Sequence, residues 1–162
     1  MKLSPERNAA FARRLIDHIK AGTTDMADGV VAFDPRIYSD PSIAEREMAR
    51  ICESAPLMVA HSSELPEPGD FVTVRMNGTS VLLTRTADGG IGAFLNTCRH
   101  RGTTLVEKER GKARRFTCKY HAWTYANDGS LKSISFDDRF GSEPSPELGL
   151  VPLPAEERHG FV

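Results

Sequence analysis

Two short stretches of sequence, Cys98–His100 (CRH) and Cys118–His121 (CKYH), decide the fold of this chain. Each stretch pairs one cysteine with one histidine, and seventeen residues separate the two. Thiolate sulfur and imidazole nitrogen are good ligands for borderline-soft transition metals. The first stretch follows a predicted strand that ends at Leu95, and the second follows one over Ala113–Thr117. We therefore expect two hairpin tips that clamp one metal site from opposite sides.

The order of the four side chains distinguishes two kinds of metal site. Tetrahedral zinc sites usually combine a Cys-x2–4-Cys pair with a His-x3–5-His pair. Here each stretch supplies one cysteine and one histidine, which suits a binuclear iron–sulfur cluster with two cysteines on one iron and two histidines on the other. A zinc-binding interaction module remains an alternative, as do four side chains that are merely buried or hydrogen-bonded.

The residues around these four side chains carry a family resemblance. Asn96–Gly102 and Cys118–Tyr125 resemble the two cluster loops of Rieske-type aromatic ring-hydroxylating oxygenase α-subunits. Asp40-Pro41 before a predicted helix, Leu65–Phe71 and Asn127–Leu131 are also similar to that family. The resemblance covers the chain from about residue 34 to its end.

The resemblance implies a Rieske [2Fe–2S] cluster and assigns its ligands. There would be two on each iron: Cys98 and Cys118 on the inner iron, His100 and His121 on the outer iron. One departure is Ala122, where the family usually has glycine after the second histidine. We expect its methyl group to crowd the loop slightly without removing a ligand.

The same resemblance indicates the subtype of the cluster. Respiratory Rieske proteins have a similar pattern, but each loop carries an additional cysteine, and the two form a disulfide; here Thr103 and Tyr120 stand in the corresponding places. Respiratory proteins also place a hydroxyl residue soon after the second histidine, where Ala122-Trp123 stand here. Fewer hydrogen bonds to the sulfurs lower the reduction potential, so we expect a low-potential centre. Tyr120 and Trp123 are expected to cover the cluster.

Helix signals dominate the first third of the chain. Ser4–Glu6 predicts a helix start, and Gly22 predicts its end. Between them lies an amphipathic stripe formed by Phe11, Leu15 and Ile19, with Ala12 and Ile16. A second helix is predicted to open at Asp40–Ser42, with Ser42–Glu45 as a capping box. Residues 1–55 are therefore expected to form an N-terminal two-helix arm.

From Pro56 onwards the pattern changes to short strands and turns. The predicted strands are Leu57–Ala60, Phe71–Arg75, Thr79–Arg85, Ile91–Leu95 and Ala113–Thr117. Asn77-Gly78 predicts a tight hairpin. We expect a mainly β fold, in which residues 56–162 form a Rieske-type antiparallel β-sandwich with two cluster-binding hairpin loops. The apolar end at Phe161-Val162 suggests a strand cut short. The resemblance implies a catalytic mononuclear-iron domain as well, and we expect that domain to be absent from this chain.

Charge and composition exclude several function classes. The net charge of −1 argues against nucleic-acid binding, and three cysteines are too few for a disulfide framework. Since no apolar run approaches the ~18 residues of a membrane span and no signal-peptide core is present, we expect a cytoplasmic protein that binds no membrane.

The average charge hides a basic block. Residues 98–121 contain eight Lys and Arg against two Glu, whereas the rest of the chain carries 13 basic and 20 acidic residues. The block is expected to offset the negative charge of the cluster and to steer an acidic partner. Arg99 and Arg101, beside a ligand, are its strongest candidates.

The resemblance implies transfer of single electrons. A ferredoxin or reductase would supply them, and they would pass toward a mononuclear iron in a neighbouring α-subunit that activates O2 for aromatic hydroxylation. The remaining histidines, His18, His61 and His159, form no His-x3–5-His pair, so the chain alone is expected to carry electrons only. Cys52 is expected to be a buried thiol. A free-standing Rieske ferredoxin is an alternative, against which the helical arm argues.

Overall fold

The computed structural model describes residues 4–135 and 146–162. The chain divides into two compact units, Met1–Glu47 and Met48–Val162. The predicted division into residues 1–55 and 56–162 stays a prediction. No helix within the described ranges is long and apolar enough to cross a membrane.

The first unit holds two α-helices. Helix α1 spans Pro5–Ala21, and the Ser4 hydroxyl caps it by accepting a hydrogen bond from the Arg7 N–H at 3.3 Å. Gly22 ends the helix with a left-handed φ of 63°, which glycine adopts at no steric cost. Both ends of α1 are confirmed.

Helix α2 covers Pro41–Glu47, and a single π-helical turn over Met48–Cys52 follows it. The predicted capping box is wrong, because Ser42 lies inside the helix. The carboxylate of Asp40 acts as the cap instead and accepts a hydrogen bond from the Ser42 N–H at 2.9 Å. Pro41 occupies the first helical position and has no backbone N–H that needs an acceptor. The Asp40 carboxylate can therefore accept from the following N–H, that of Ser42.

The second unit contains a four-stranded antiparallel sheet with the strand order β3-β2-β1-β4. Its strands are β1 Asp70–Met76, β2 Thr79–Arg85, β3 Ile91–Leu95 and β4 Arg110–Lys112. The turn Asn77-Gly78 joins β1 to β2 with positive φ at both residues, 48° and 79°, as a tight hairpin requires. The predicted bounds of β2 and β3 are confirmed.

A three-stranded antiparallel sheet follows with the order β5-β6-β7. Its strands are β5 Arg115–Thr117, β6 Thr124–Ala126 and β7 Leu131–Ser133. The strand predicted over Leu57–Ala60 is wrong, since no regular strand forms there. This segment is held by its contact with the C-terminal residue: the Val59 N–H donates to the Val162 carbonyl at 2.9 Å.

The main core lies between the two sheets. The rings of Phe71 and Phe116, from β1 and β5, meet edge to face with centroids 5.4 Å apart. Leu82 of β2 and Tyr125 of β6 are fully buried in the same cluster, together with Cys98. The next residue along β2, Leu83, is buried in a second cluster on the other face of the sheet. Side chains alternate along a strand, so β2 is covered on both of its faces.

Candidate metal centre

The first loop begins directly after β3 and closes on itself. Thr97 and Thr104 form a β-bridge, and inside it the Cys98 N–H donates to the Thr103 carbonyl at 2.8 Å. The Gly102 N–H then donates back to the Cys98 carbonyl at 3.0 Å. The predicted hairpin tip is confirmed, and it sets the cysteine at its base.

The second loop repeats this pattern between β5 and β6. The Cys118 N–H donates to the Trp123 carbonyl at 2.8 Å, and the Ala122 N–H donates to the Cys118 carbonyl at 3.0 Å. Thr117 and Thr124 pair at its base. Two tight turns of the same hydrogen-bond pattern therefore present one cysteine each.

Ala122 occupies the place in the second loop that Gly102 occupies in the first. Both have left-handed backbones, with φ of 56° and 71°. The Ala122 side chain is exposed, so the expectation that its methyl group crowds the loop is wrong. Alanine destabilises the loop through its backbone conformation, because a residue with a Cβ is sterically disfavoured in the left-handed region.

Both cysteines lie deep, beside the hydroxyl of Tyr125. Cys98 and Cys118 are each 2% exposed and belong to the main core. The Tyr125 oxygen lies 3.4 Å from the Cys98 sulfur and accepts a hydrogen bond from the Arg99 N–H at 3.0 Å. The tyrosine oxygen accepts from the backbone, so its own O–H is left to donate to the sulfur. Burial raises the pKa of Tyr125 well above its ordinary value, and the two nearby thiols add to the rise.

The two histidines contact each other and are less buried than the cysteines. His100 and His121 are half-buried, and their ring centroids lie 4.6 Å apart in an edge-to-face arrangement. Both Nδ1 atoms are buried, and that of His121 has no hydrogen-bond partner among the described residues. A buried imidazole nitrogen needs a partner, and a metal ion satisfies it as a ligand.

Burial lowers the pKa of His100 below its usual value, and the nearby His121 and Arg101 act in the same direction. The lowered pKa favours the neutral imidazole, which is the form that binds a metal. Two buried sulfurs and two neighbouring imidazoles are the donor set of a Rieske cluster, so the residues present fit that cofactor.

Aromatic side chains enclose the histidines. The Trp123 ring stacks on His100 with centroids 5.0 Å apart and an angle of 6° between planes. The Tyr120 ring lies 3.9 Å from His121, tilted by 36°. Trp123 is buried and Tyr120 is 58% exposed, so Trp123 contacts His100 from the core side and Tyr120 contacts His121 at the surface.

Two residues support the site that the sequence did not single out. Tyr125 is one, and Asn96 at the foot of the first loop is the other. The buried Asn96 amide donates to the Val106 carbonyl at 2.7 Å and accepts from the Val106 N–H at 2.9 Å. It also donates to the Ser80 hydroxyl at 3.0 Å. Both residues stand within the motifs that carry the resemblance, but their contacts are with distant parts of the chain.

The remaining candidate residues lie elsewhere in the fold. His18 belongs to α1 and contacts Asp25, His61 caps a 3-10 turn over Ser62–Glu64, and His159 has a positive φ near the C-terminus. Cys52 is half-buried, so the prediction of a buried thiol is wrong. Within residues 4–135 and 146–162, no three His, Cys, Asp or Glu side chains group around a single ion position. A Rieske cluster takes two protein ligands on each iron.

Two small antiparallel sheets with paired Cys/His loops define an iron–sulfur electron-transfer domain. Residues 55–144 match the family model of the Rieske [2Fe-2S] domain. The chain belongs to this family, and its cofactor is a Rieske [2Fe–2S] cluster.

Its relatives are oxygenase components. The chain is 39% identical over 129 residues to the large oxygenase component of the 2,4-dinitrotoluene dioxygenase system of Burkholderia sp. (strain RASC), covering 78% of this chain and 29% of that protein. Naphthalene 1,2-dioxygenase from Rhodococcus sp. has a similar structure, with a TM-score of 0.72 and 31% identity over 99% of this chain and 35% of that one. A quaternary ammonium Rieske monooxygenase has a TM-score of 0.70 and 37% identity over 80% of this chain and 38% of that one. The chain thus spans well under half the length of each.

Proposed function

We propose that this chain is the electron-transfer part of a ring-hydroxylating oxygenase α-subunit. It takes single electrons from a ferredoxin or reductase and passes them toward a mononuclear iron that activates O2. One observation carries the proposal: two loops of matching geometry each supply one buried cysteine and one half-buried histidine, and the two imidazoles are adjacent. Residues 56–162 form the cluster domain in this proposal.

The four ligands are Cys98 and Cys118 on the inner iron, and His100 and His121 on the outer iron. The bound cluster supplies a one-electron redox couple. The protein buries the cysteines and keeps water from the sulfurs, while the Tyr125 O–H faces one of them. Because the imidazoles lie closer to the surface, their edges form the path by which an electron enters and leaves.

The cations beside the first ligand pair favour an acidic donor. Arg99 and Arg101 flank His100 and are both exposed. They belong to the basic block of residues 98–121, on a chain whose remaining residues are net acidic. Opposite charge on a partner speeds encounter and orients it toward the histidine edges. A ferredoxin or reductase with an acidic face fits this surface.

The substrate is selected outside these residues. Relatives with a similar Rieske part are named for dinitrotoluene, naphthalene and quaternary ammonium compounds. We infer that the mononuclear iron and the aromatic pocket lie outside these residues, and that the iron that receives the electron belongs to a neighbouring α-subunit. The cytoplasm is the proposed location, because reducing conditions there keep cysteine ligands free of disulfides.

The cluster is tested by iron and acid-labile sulfide analysis, with EPR of the reduced protein. We expect two irons and two sulfides for each chain, and a spectrum that is lost in Cys98→Ser and Cys118→Ser. Cys52→Ser is the matched control and should keep the signal. One equivalent of zinc without an EPR signal would overturn the proposal in favour of a zinc-binding module.

The proposal that these residues transfer electrons but do not hydroxylate a substrate is tested with aromatic compounds. A reduced ferredoxin should reduce the oxidised chain, but the reduced chain incubated in air with aromatic compounds should give no hydroxylated product. Product formed by the isolated chain would contradict the placement of the mononuclear iron outside these residues.

A further inference from the structure

Two exposed side chains, one from each loop, meet at the surface of the site. The guanidinium carbon of Arg101 lies 5.9 Å from the centroid of the Tyr120 ring. This separation is within the ~6 Å at which a cation is attracted to an aromatic face. Arg101 follows His100 in the first loop, and Tyr120 precedes His121 in the second.

The Tyr120 ring has a second contact, with a ligand. Its centroid lies 3.9 Å from that of His121, and His121 in turn lies 4.6 Å from His100. The contacts therefore run from Arg101 through Tyr120 and His121 to His100. They start and end in the first loop, and they pass through the second loop between.

We propose that Arg101 and Tyr120 form a clasp that holds the two loops closed around the outer pair of ligands and slows the loss of the cluster. The proposal rests on the ligand assignment made above. Thr103 and Tyr120 stand where a disulfide would join the loops and cannot form one. A cation–π contact links the same loops without a covalent bond, and reducing conditions leave it intact.

An ion pair of the second loop with a residue just beyond the first loop has to be separated from the clasp. Lys119 of the second loop forms an ion pair with Glu107, and both side chains are exposed. Exposed ion pairs contribute little and are screened by salt. Measurements at about 0.5 M salt, where the Debye length is only a few ångströms, therefore weaken this pair more than they weaken the clasp.

The test measures how fast the holoprotein loses its visible absorbance in the presence of an iron chelator. Tyr120→Leu and Arg101→Gln remove the contact, and we expect about two- to fivefold faster loss. Tyr120→Phe keeps the ring and should match the wild type. The double variant should lose the cluster no faster than the faster single variant, since one contact can be removed only once. Arg114→Gln removes the same charge outside both loops and is the control.

Several outcomes would overturn the clasp. These are equal rates in all variants, equally fast loss in Tyr120→Phe and Tyr120→Leu, or additive effects in the double variant. The EPR g-values of the reduced protein should be the same in every variant, and a shift in Tyr120→Leu would assign the ring to ligand geometry instead. A wild type without iron and sulfide would overturn the ligand assignment itself, which is a distinguishable failure.

Discussion

Ala122 shows how a single backbone dihedral can lower the stability of a loop that holds the proposed ligands. Its φ of 56° matches the conformation that Gly102 adopts in the other loop, but alanine carries a Cβ. For residues with a Cβ, the left-handed region costs roughly 1–2 kcal/mol, and glycine escapes most of this while losing more entropy on folding. The loop keeps its shape because Cys118 hydrogen-bonds across it in both directions.

Ala122→Gly is therefore expected to stabilise the protein by about 0.5–1 kcal/mol. The side chain is exposed, so its removal loses no packing. The measurement is the urea midpoint of the holoprotein. Ala126→Gly, within β6, is the control and should lower the midpoint, because φ is ordinary there and glycine only adds entropy to the unfolded chain. A lower midpoint for Ala122→Gly would contradict the assignment of strain.

Tyr125 is a second single residue with a predicted effect, in this case on the reduction potential of the cluster. A hydrogen bond to a ligand sulfur stabilises the reduced, more negative state and raises the potential. Tyr125→Phe keeps the buried ring and removes the O–H beside Cys98. We expect the potential to fall by about 60 mV if the hydrogen bond contributes roughly 1.4 kcal/mol more to the reduced state.

Potentiometric titration followed by EPR checks this effect. The raised pKa of Tyr125 means that its hydroxyl stays protonated well above neutral pH, so the difference between the two proteins should not vary from pH 6 to pH 9. The low-potential prediction counted no hydroxyl donor to the sulfurs, and Tyr125 supplies one. An unchanged potential in the variant would show that the hydroxyl does not act on the sulfur.

At the scale of elements, the loops were the easiest part to predict and their supports the hardest. The Cys and His spacing is local, so the sequence predicts the loops, and the structure adds that both close with the same pair of hydrogen bonds. The roles of Tyr125 and Asn96 depend on contacts 27, 16 and 10 residues away, which no local pattern reveals. The segment Leu57–Ala60 was mispredicted for a related reason: its backbone pairs with Val162, about 100 residues away in the sequence, and its β propensity does not decide that pairing.

The Asn96 side chain joins the first loop to the sheet, so its truncation should make that loop more mobile. Asn96→Ala leaves the N–H and the carbonyl of Val106 without their amide partner. Buried groups that lose their partners cost about 1–3 kcal/mol each, so we expect a destabilisation of roughly 2–4 kcal/mol. Hydrogen exchange should rise in residues 96–106 before it rises in the β1–β2 hairpin.

Asn8→Ala, in the exposed helix α1, provides the comparison for Asn96→Ala. It should change neither the exchange of the loop nor the cluster content. Uniform loss of protection across both sheets in Asn96→Ala would mean that the amide supports the whole core and has no special role in the loop.

At the scale of the whole molecule, one buried cation joins the first sheet to the C-terminal segment. Arg85 of β2 is 8% exposed and donates through Nε to the Leu65 carbonyl at 2.7 Å. Its two terminal nitrogens donate to the two carboxylate oxygens of Glu157 at 2.6 and 2.9 Å. This bidentate pair links residues 72 positions apart, so it depends on the complete β-domain rather than on any one element.

The pair makes the stability of the fold depend on pH in a defined window. The hydrogen bonds from Arg85 lower the pKa of Glu157 to about 2, from an ordinary value of 4.5. A carboxyl whose pKa is lowered by folding stabilises the native state above its unfolded pKa, and the contribution disappears as pH falls through the folded pKa. Glu157→Gln should therefore be less stable than the wild type at pH 7, and the difference in urea midpoint should shrink between pH 4.5 and pH 2. Glu156→Gln, at the exposed neighbouring position, should show no such convergence, and a Glu157→Gln difference that stays constant with pH would contradict the role of the pair.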